Sequence, residues 1–195
     1  MTLADADHWR ARLAAPAPDG LRSGDLEGHE DGDNPTPAAV LVAITKRAEP
    51  GLLLTVRHGD LRNHAGQIAF PGGRVDAGES VIEAAIREAE EEIALPADAL
   101  HIIGPADPYR TVTGFAVTPV LALVEPDRPL LPNPREVDEI FEAPLAFLLD
   151  PANHRLKSAF YRERERHYVE IPWQGRRIWG ATAAMLVNLA ARLNR

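Results

Sequence analysis

Residues 80–96, Ser80-Val-Ile-Glu-Ala-Ala-Ile-Arg-Glu-Ala-Glu-Glu-Glu-Ile-Ala-Leu-Pro96, constrain this chain more than any other stretch. Ser80 and Glu83 have capping-box spacing, in which the hydroxyl accepts from the third helical amide and the glutamate accepts from the capping residue's own amide. Pro96 then stops the helix. Between these ends Ile82, Ile86, Ala89 and Ile93 recur at intervals of three or four residues. That spacing predicts a stripe buried against a sheet. The acids lie elsewhere on the cylinder. At about 100° per residue, Glu88, Glu91 and Glu92 fall within an arc of about 100°. Like charges so placed repel by about 0.2–0.5 kcal/mol per pair. A helix built for stability alone would not gather them, whereas a divalent cation would reverse the sign. Hard carboxylate oxygens suit Mg²⁺ or Mn²⁺, with water and substrate phosphates completing the shell. Arg87 precedes Glu91 by four residues and is expected to pair with it, positioning a carboxylate without binding metal. The plainer reading is a solvated acidic face, and the helix by itself leaves both open.

The residues upstream decide between them. Phe70-Pro71-Gly72-Gly73-Arg74-Val75-Asp76-Ala77-Gly78-Glu79 leads into the helix. From Gly73 the order is five residues, Glu79, seven residues, Arg87-Glu88, then Glu91-Glu92 after two more. This spacing resembles the Nudix box, which would span residues 73–95. Every charged position matches. Ala94 stands where the family pattern has glycine, which implies a slightly different exit from the helix. A longer pattern precedes the box: Leu53-Leu54-Thr55, Arg57, Arg62, His64, Gly66, Ile68, Phe70 to Gly73, and Asp76. It resembles the additional motif of the coenzyme A diphosphatase group within that family, with His58 where the motif usually has serine. Val117-Thr118-Pro119, Glu136-Val137, Phe141-Glu142, Pro144-Leu145, Trp179-Gly180 and Thr182-Ala183 are also similar to this group. The resemblance covers roughly residues 38–190.

The resemblance implies an α/β chain with the Nudix α/β/α sandwich, a mixed sheet between helices. It implies hydrolysis of coenzyme A, or its derivatives, to 3′,5′-ADP and 4′-phosphopantetheine, with Mg²⁺ or Mn²⁺ required. Glu88, Glu91 and Glu92 would hold the cation, and the carbonyl of Gly72 or Gly73 would add a ligand. Glu79 would support the turn or the outer metal shell. The general base would be a box glutamate or Glu136, and Glu136 is the residue chosen here. Arg57, Arg62 and His64, beside Gly73, would bind the substrate's phosphates. Two alternatives stand beside this reading. One is a Nudix pyrophosphohydrolase for another nucleoside diphosphate derivative, such as ADP-ribose, or for a nucleoside triphosphate. The other is a non-catalytic nucleotide-sensing module, against which the intact acids count.

The rest of the chain sets the frame. A length of 195 residues suits one domain with a real core. The net charge of −8 disfavours general nucleic-acid binding but not a small phosphorylated substrate met by local arginines. No apolar run reaches the roughly 18 residues of a membrane span. No cysteine is present, which removes disulfides, zinc-thiolate sites and thiol nucleophiles. The opening MTLADADHWRARLAAP lacks a basic start followed by an apolar stretch, so a soluble, cytoplasmic protein is expected. A homodimer is left open as its assembly. Two regions are expected: residues 1–37, a short helix with Leu3, Trp9 and Leu13 as its apolar points followed by an acidic loop or loosely held arm, and residues 38–195, the hydrolase domain. Strands are predicted over 38–45 and 51–57 as a hairpin, 68–75 running into a glycine turn, 101–107, 115–126 and within 161–173. A turn or helix around a proline break is predicted over 136–150, and a closing helix over 178–193.

Overall fold

A computed structural model describes residues 6–22, 24, 34–61, 63–161 and 164–193. The elements, in chain order, are α1 (Ala6–Ala14), β1 (Thr36–Thr45), β2 (Gly51–Arg57), β3 (Ile68–Ala69), β4 (Gly72–Arg74), α2 (Val81–Ile93), β5 (Leu100–Pro105), β6 (Tyr109–Arg110), β7 (Phe115–Val124), β8 (Val137–Pro144), α3 (Leu145–Leu149), β9 (Arg155–Tyr161), β10 (Arg164–Trp173), β11 (Arg176–Trp179) and α4 (Gly180–Leu193).

Strand β1 organises the molecule. Its residues Ala38–Thr45 are apolar or β-branched almost throughout, as a strand buried on both faces must be. It pairs antiparallel with β2 and β4 and parallel with β7 along its whole length, inside an eight-stranded mixed sheet. Alternate side chains feed two cores. Ala39, Leu41 and Ala43 pack with Ala84, Ala85, Ala89 and Ile93 of α2. Ala38, Val42 and Ile44 pack with Trp9 of α1, Leu145 and Leu148 of α3, Val169 and Ile171 of β10, and Leu186 and Leu189 of α4. The sheet therefore lies between helices, as the α/β sandwich requires.

Helix α2 begins as the sequence predicts. Ser80 Oγ accepts from the Glu83 amide, and the Glu83 carboxylate accepts from the Ser80 amide at 2.8 Å. The buried stripe is rotated from the expected one. Ala84, Ala85, Ala89 and Ile93 are buried, whereas Ile82 and Ile86 are only partly covered. Alanines let the helix approach β1 closely, and this turns Glu92 inward between them. Its exit also differs from expectation. Ala94 adopts the left-handed conformation, φ 54° and ψ 34°, that glycine would occupy, and its amide donates to the carbonyls of Ala89 and Glu90. The exit is thus the usual one, reached at the steric cost of a Cβ.

Four other expectations need correction. Residues 68–75 are two short strands on different neighbours, β3 on β2 and β4 on β1, because Pro71 and the two glycines redirect the chain between them. Residues 137–144 form a strand along the full length of β2, not a turn or helix, and only Leu145–Leu149 is helical. The acidic side chains that obscure its pattern in the sequence are tolerated at a sheet edge. The expected single strand within 161–173 is one of three, β9, β10 and β11, in a second antiparallel sheet, and residues 178–179 belong to β11 rather than to the closing helix.

The segment after α1 is clasped as far as residue 22, while residues 25–33 of the expected acidic arm lie outside the described residues. The Asn188 side chain accepts from the Arg22 amide at 2.8 Å and donates to the Arg22 carbonyl at 2.7 Å. Arg192 pairs with Asp107 and donates to the carbonyls of Arg12, Ala15 and Pro16. Leu3 lies outside the described residues. No helix among the described residues is long and apolar enough to cross a membrane.

Replacing Ala94 by glycine should raise stability by about 1 kcal/mol, since it removes a Cβ from a left-handed residue. Urea denaturation measures this directly, and an unchanged or lower midpoint would contradict the cap described here.

Candidate active site

The site forms where β4 meets α2. Gly72 and Gly73 lie opposite Val40 and Ala39 of β1. A Cβ on Gly72 would overlap the Ala39 carbonyl oxygen and the Val40 backbone, and one on Gly73 would overlap the Glu88 carboxylate. The first glycine brings two backbones together. The second leaves a cradle in which a glutamate rests. From the same turn, the Gly72 amide donates to Glu92 Oε2 at 3.1 Å.

Arg87 ties the surrounding pieces together. Its Nε and Nη2 donate to the two oxygens of Glu79 at 2.9 and 3.1 Å. Nη1 donates to Glu88 Oε1 at 2.9 Å, and Nη2 to the Arg74 carbonyl at 3.0 Å. Glu79 also receives the Asp76 amide, closing the turn before α2. The hydrogen bond from Arg87 holds the Glu79 carboxyl below its ordinary range. The expected Arg87–Glu91 pair is the weakest of these contacts, at 3.5 Å, with Glu91 more than half exposed. The physical reason is geometric: the guanidinium fork reaches back across the turn, where it meets a carboxylate and a carbonyl in its own plane.

Glu92 is 3% exposed. Burial raises its pKa to about 7, and Glu88 and Glu136 push in the same direction against the Gly72 amide and the Arg57 charge. Burial also raises Glu88, opposed by Arg87 and reinforced by Glu91 and Glu136. Glu136 is therefore near enough to both to feel their charge. A turn places it there: the Asn133 amide donates to the Glu92 carbonyl, and the Asn133 carbonyl accepts from Glu136 and Val137. Sequence reasoning missed Asn133, and little could have revealed it, because it acts through its backbone.

Arg57 closes the opposite side. It ends β2 at an irregularity in the β2–β8 pairing and stands 3.8 Å from Glu92 through Nη1. Among the described residues, its Nε is buried without a hydrogen-bond partner. A buried donor left unpaired disfavours the protein as it stands, and an anionic oxygen arriving there would satisfy it. His64 stands further out, in an exposed loop with φ 60°, and its ring contacts Gln67 Oε1 at 2.9 Å. Arg62 lies outside the described residues.

The structure thus brings together Glu88, Glu92, Glu136, Arg57, Arg87, Gly72 and Gly73. It leaves Glu91 on the outer face and His64 in the neighbouring loop. Among the described residues no three carboxylate or imidazole side chains converge as a ready-made metal cage. The donor chemistry nevertheless suits a hard divalent cation. Two largely buried carboxylates repel one another beside a cradle that only glycine permits, and a third lies on the next turn of the same helix.

Two consequences are measurable. Gly73→Ala should displace Glu88 and lower activity at least tenfold with a modest effect on stability. Gly72→Ala, which meets backbone rather than a movable side chain, should lower stability by about 1–3 kcal/mol. Equal effects of the two on melting temperature would refute the distinction. For Glu92, the folded pKa lies above the ordinary 4.5. Its contribution is therefore complete below that value and is lost as pH rises through about 7. In chelator, the protein should lose about 3 kcal/mol across this window. Urea titrations should show the loss abolished in Glu92→Gln, and an unaltered slope in the variant would rule out this origin.

Comparison with known proteins places these features in context. The sequence matches the NUDIX domain family model over residues 35–163. It is 46% identical over 158 residues to the uncharacterized Nudix hydrolase NudL of Shigella boydii serotype 4 (strain Sb227), covering 80% of this chain and 82% of that one. The same figures relate it to the uncharacterized Nudix hydrolase NudL of Escherichia coli O1:K1 / APEC. Among solved structures it is similar to a C. elegans Ap4A hydrolase binary complex, with 26% identity and a TM-score of 0.49 over 56% of this chain and 80% of that one.

Proposed function

Because the chain belongs to the Nudix hydrolase family, we propose that it cleaves the diphosphate bond of coenzyme A or its derivatives, giving 3′,5′-ADP and 4′-phosphopantetheine. Nudix hydrolases act on small molecules and generally use divalent metal ions. The observation that carries the reading is the pairing of Arg57, with its unsatisfied buried Nε, and the Glu92 carboxylate across one small space. That pairing offers a cationic donor to a phosphate and anionic oxygens to a cation, side by side.

Glu88, Glu91 and Glu92, with a glycine carbonyl of Gly72 or Gly73, would hold Mg²⁺ or Mn²⁺. When bound, the cation neutralises phosphate charge and acidifies water. The chain's own residues do the rest. Arg87 keeps Glu88 in its cradle and joins it to Glu79, so the carboxylates do not need to be gathered when substrate arrives. Arg57 donates to a diphosphate oxygen, and Arg62 and His64, from the same motif, supply further phosphate contacts. Glu136 takes the proton of the attacking water as one P–O bond forms and the anhydride P–O bond breaks. With its pKa raised to about 7, Glu92 is only partly ionised near neutral pH in the metal-free protein, and a cation would draw off the remaining proton.

The choice of coenzyme A is supported by the stretch Leu53–Asp76, whose resemblance to the coenzyme A diphosphatase motif is independent of the box. In the structure this stretch runs from β2 through the His64 loop to β4, and within it Arg57 and Gly72 both approach Glu92. Purified protein with Mg²⁺ or Mn²⁺ should turn over coenzyme A faster than ADP-ribose or dGTP, with 3′,5′-ADP identified by chromatography. Turnover of coenzyme A no faster than of the other two would remove the substrate and leave the family assignment intact.

A further inference from the structure

Strand β9 is the edge of the small sheet and has no neighbour on its outer side among the described residues. Residues Arg155–Phe160 are all exposed, on both faces of the strand. Leu156 and Phe160, at 63% and 78% exposure, are two of the three large apolar residues left in solvent among the described residues. They share a face with Ser158. Across β10 that face continues into Val169, opposite Leu156, which is buried in the main core. This face is apolar at Leu156, where it meets the core, carries His167 and Glu165 opposite Ser158 and Phe160, and ends at an open row of amides and carbonyls. An edge of this kind is a template for another strand.

The sequence of β9 identifies which strand fits. A second copy laid antiparallel, with the whole of Arg155–Tyr161 paired, has its two-fold axis at Ser158. Directly opposite residues are then Arg155 and the partner's Tyr161, Leu156 and the partner's Phe160, and Lys157 and the partner's Ala159. The two exposed apolar residues meet each other twice, on one face. Neither cation meets a cation. Arg155 is already opposite Glu170, and Lys157 opposite Tyr168, within the chain itself. A shift that centres the axis on Lys157 would set the two lysines against each other. The fully paired register is thus also the one that covers both apolar side chains and separates like charges.

We propose that β9 is the contact strand of a two-fold symmetric dimer, joining two three-stranded sheets into one of six across Ser158. Each copy offers the same surface to the other, as an isologous interface requires.

The chain contains no cysteine, so single cysteines report the register without interference. On the axis, opposed Cα atoms lie about 4.5–5.5 Å apart, within disulfide range. Ser158→Cys should form a covalent dimer under mild oxidation. Ala159→Cys, diagonal to its own copy by about 7–8 Å, should not. Light scattering on the unmodified protein should give twice the 21.3 kDa chain mass. Leu156→Glu/Phe160→Glu should give one chain mass with an unchanged circular dichroism spectrum, both positions being exposed. Leu156→Lys/Phe160→Glu, which places opposite charges together in this register, should restore the dimer. A monomeric unmodified protein, a dimer that survives Leu156→Glu/Phe160→Glu, or equal crosslinking of the two cysteine variants would overturn the proposal.

Discussion

The contact between the Gly72–Gly73 turn and helix α2 is the constraint on which the rest depends. Two glycines allow β4 to lie on β1 with no side chain between the backbones, and they allow the Glu88 carboxylate to rest on the turn itself. The Gly72 amide then reaches Glu92. Alanines 84, 85 and 89 are the counterpart on the helix, since larger residues would hold α2 away from the sheet. Small residues on both elements thus bring charged ones into the interior. The alanine face gives up some apolar burial, and the gain is a fixed distance between two carboxylates and a backbone turn.

Arg87 reinforces this arrangement from outside the core. It contacts the end of β4, the turn at Glu79 and the helix at Glu88 through one planar group. A lysine could not span these three, because it offers a point charge rather than a fork. Charge balance also explains how Glu88 remains tolerable when partly buried: burial and the neighbouring acids raise its pKa, and Arg87 opposes them. Glu92 has only a distant cation in Arg57, and burial raises it to about 7. The helix therefore carries two carboxylates with raised pKa values, four residues apart on one face.

Much of this was legible in the sequence, and what was not has definite causes. The capping box at Ser80 and Glu83 is local and appears as spelled. Strands β1, β2 and β7 are apolar enough to be read directly. Strand β8 was hidden because it lies at a sheet edge, where Glu136, Asp138, Glu139 and Glu142 break its alternation. Strand β9 was hidden for the same reason, having no buried face at all. The glutamate spacing pointed to one acidic side of α2, but not that Glu92 would turn inward while Glu91 stayed out. That division depends on which face docks, and the isoleucines suggested a face different from the one the alanines provide. The Arg87–Glu91 pair at four residues' spacing is present at 3.5 Å, but a rule for isolated helices does not show that a turn folded back against the helix offers Arg87 closer oxygens in Glu79 and the Arg74 carbonyl. The role of Asn133 is carried by backbone atoms and leaves no trace in composition.

The clasp of Asn188 and Arg192 on residues 12–22 joins segments more than 160 positions apart in the chain. On a ribosome, α1 emerges with none of its partners in existence. Its first partner is β5, where Arg10 donates to the Ile102 carbonyl. Only when α4 has left the exit tunnel are the amide of Asn188 and the guanidinium of Arg192 available to clasp residues 12–22. Loop-closure entropy for so long a span must be met before these contacts give any return. The candidate site around β1, β4 and α2 thus lies, in sequence order, well before the helix that closes the molecule. Trp9, destined for the core, stays incompletely covered until α4 is made, a period in which a chaperone has the greatest opportunity to bind this chain.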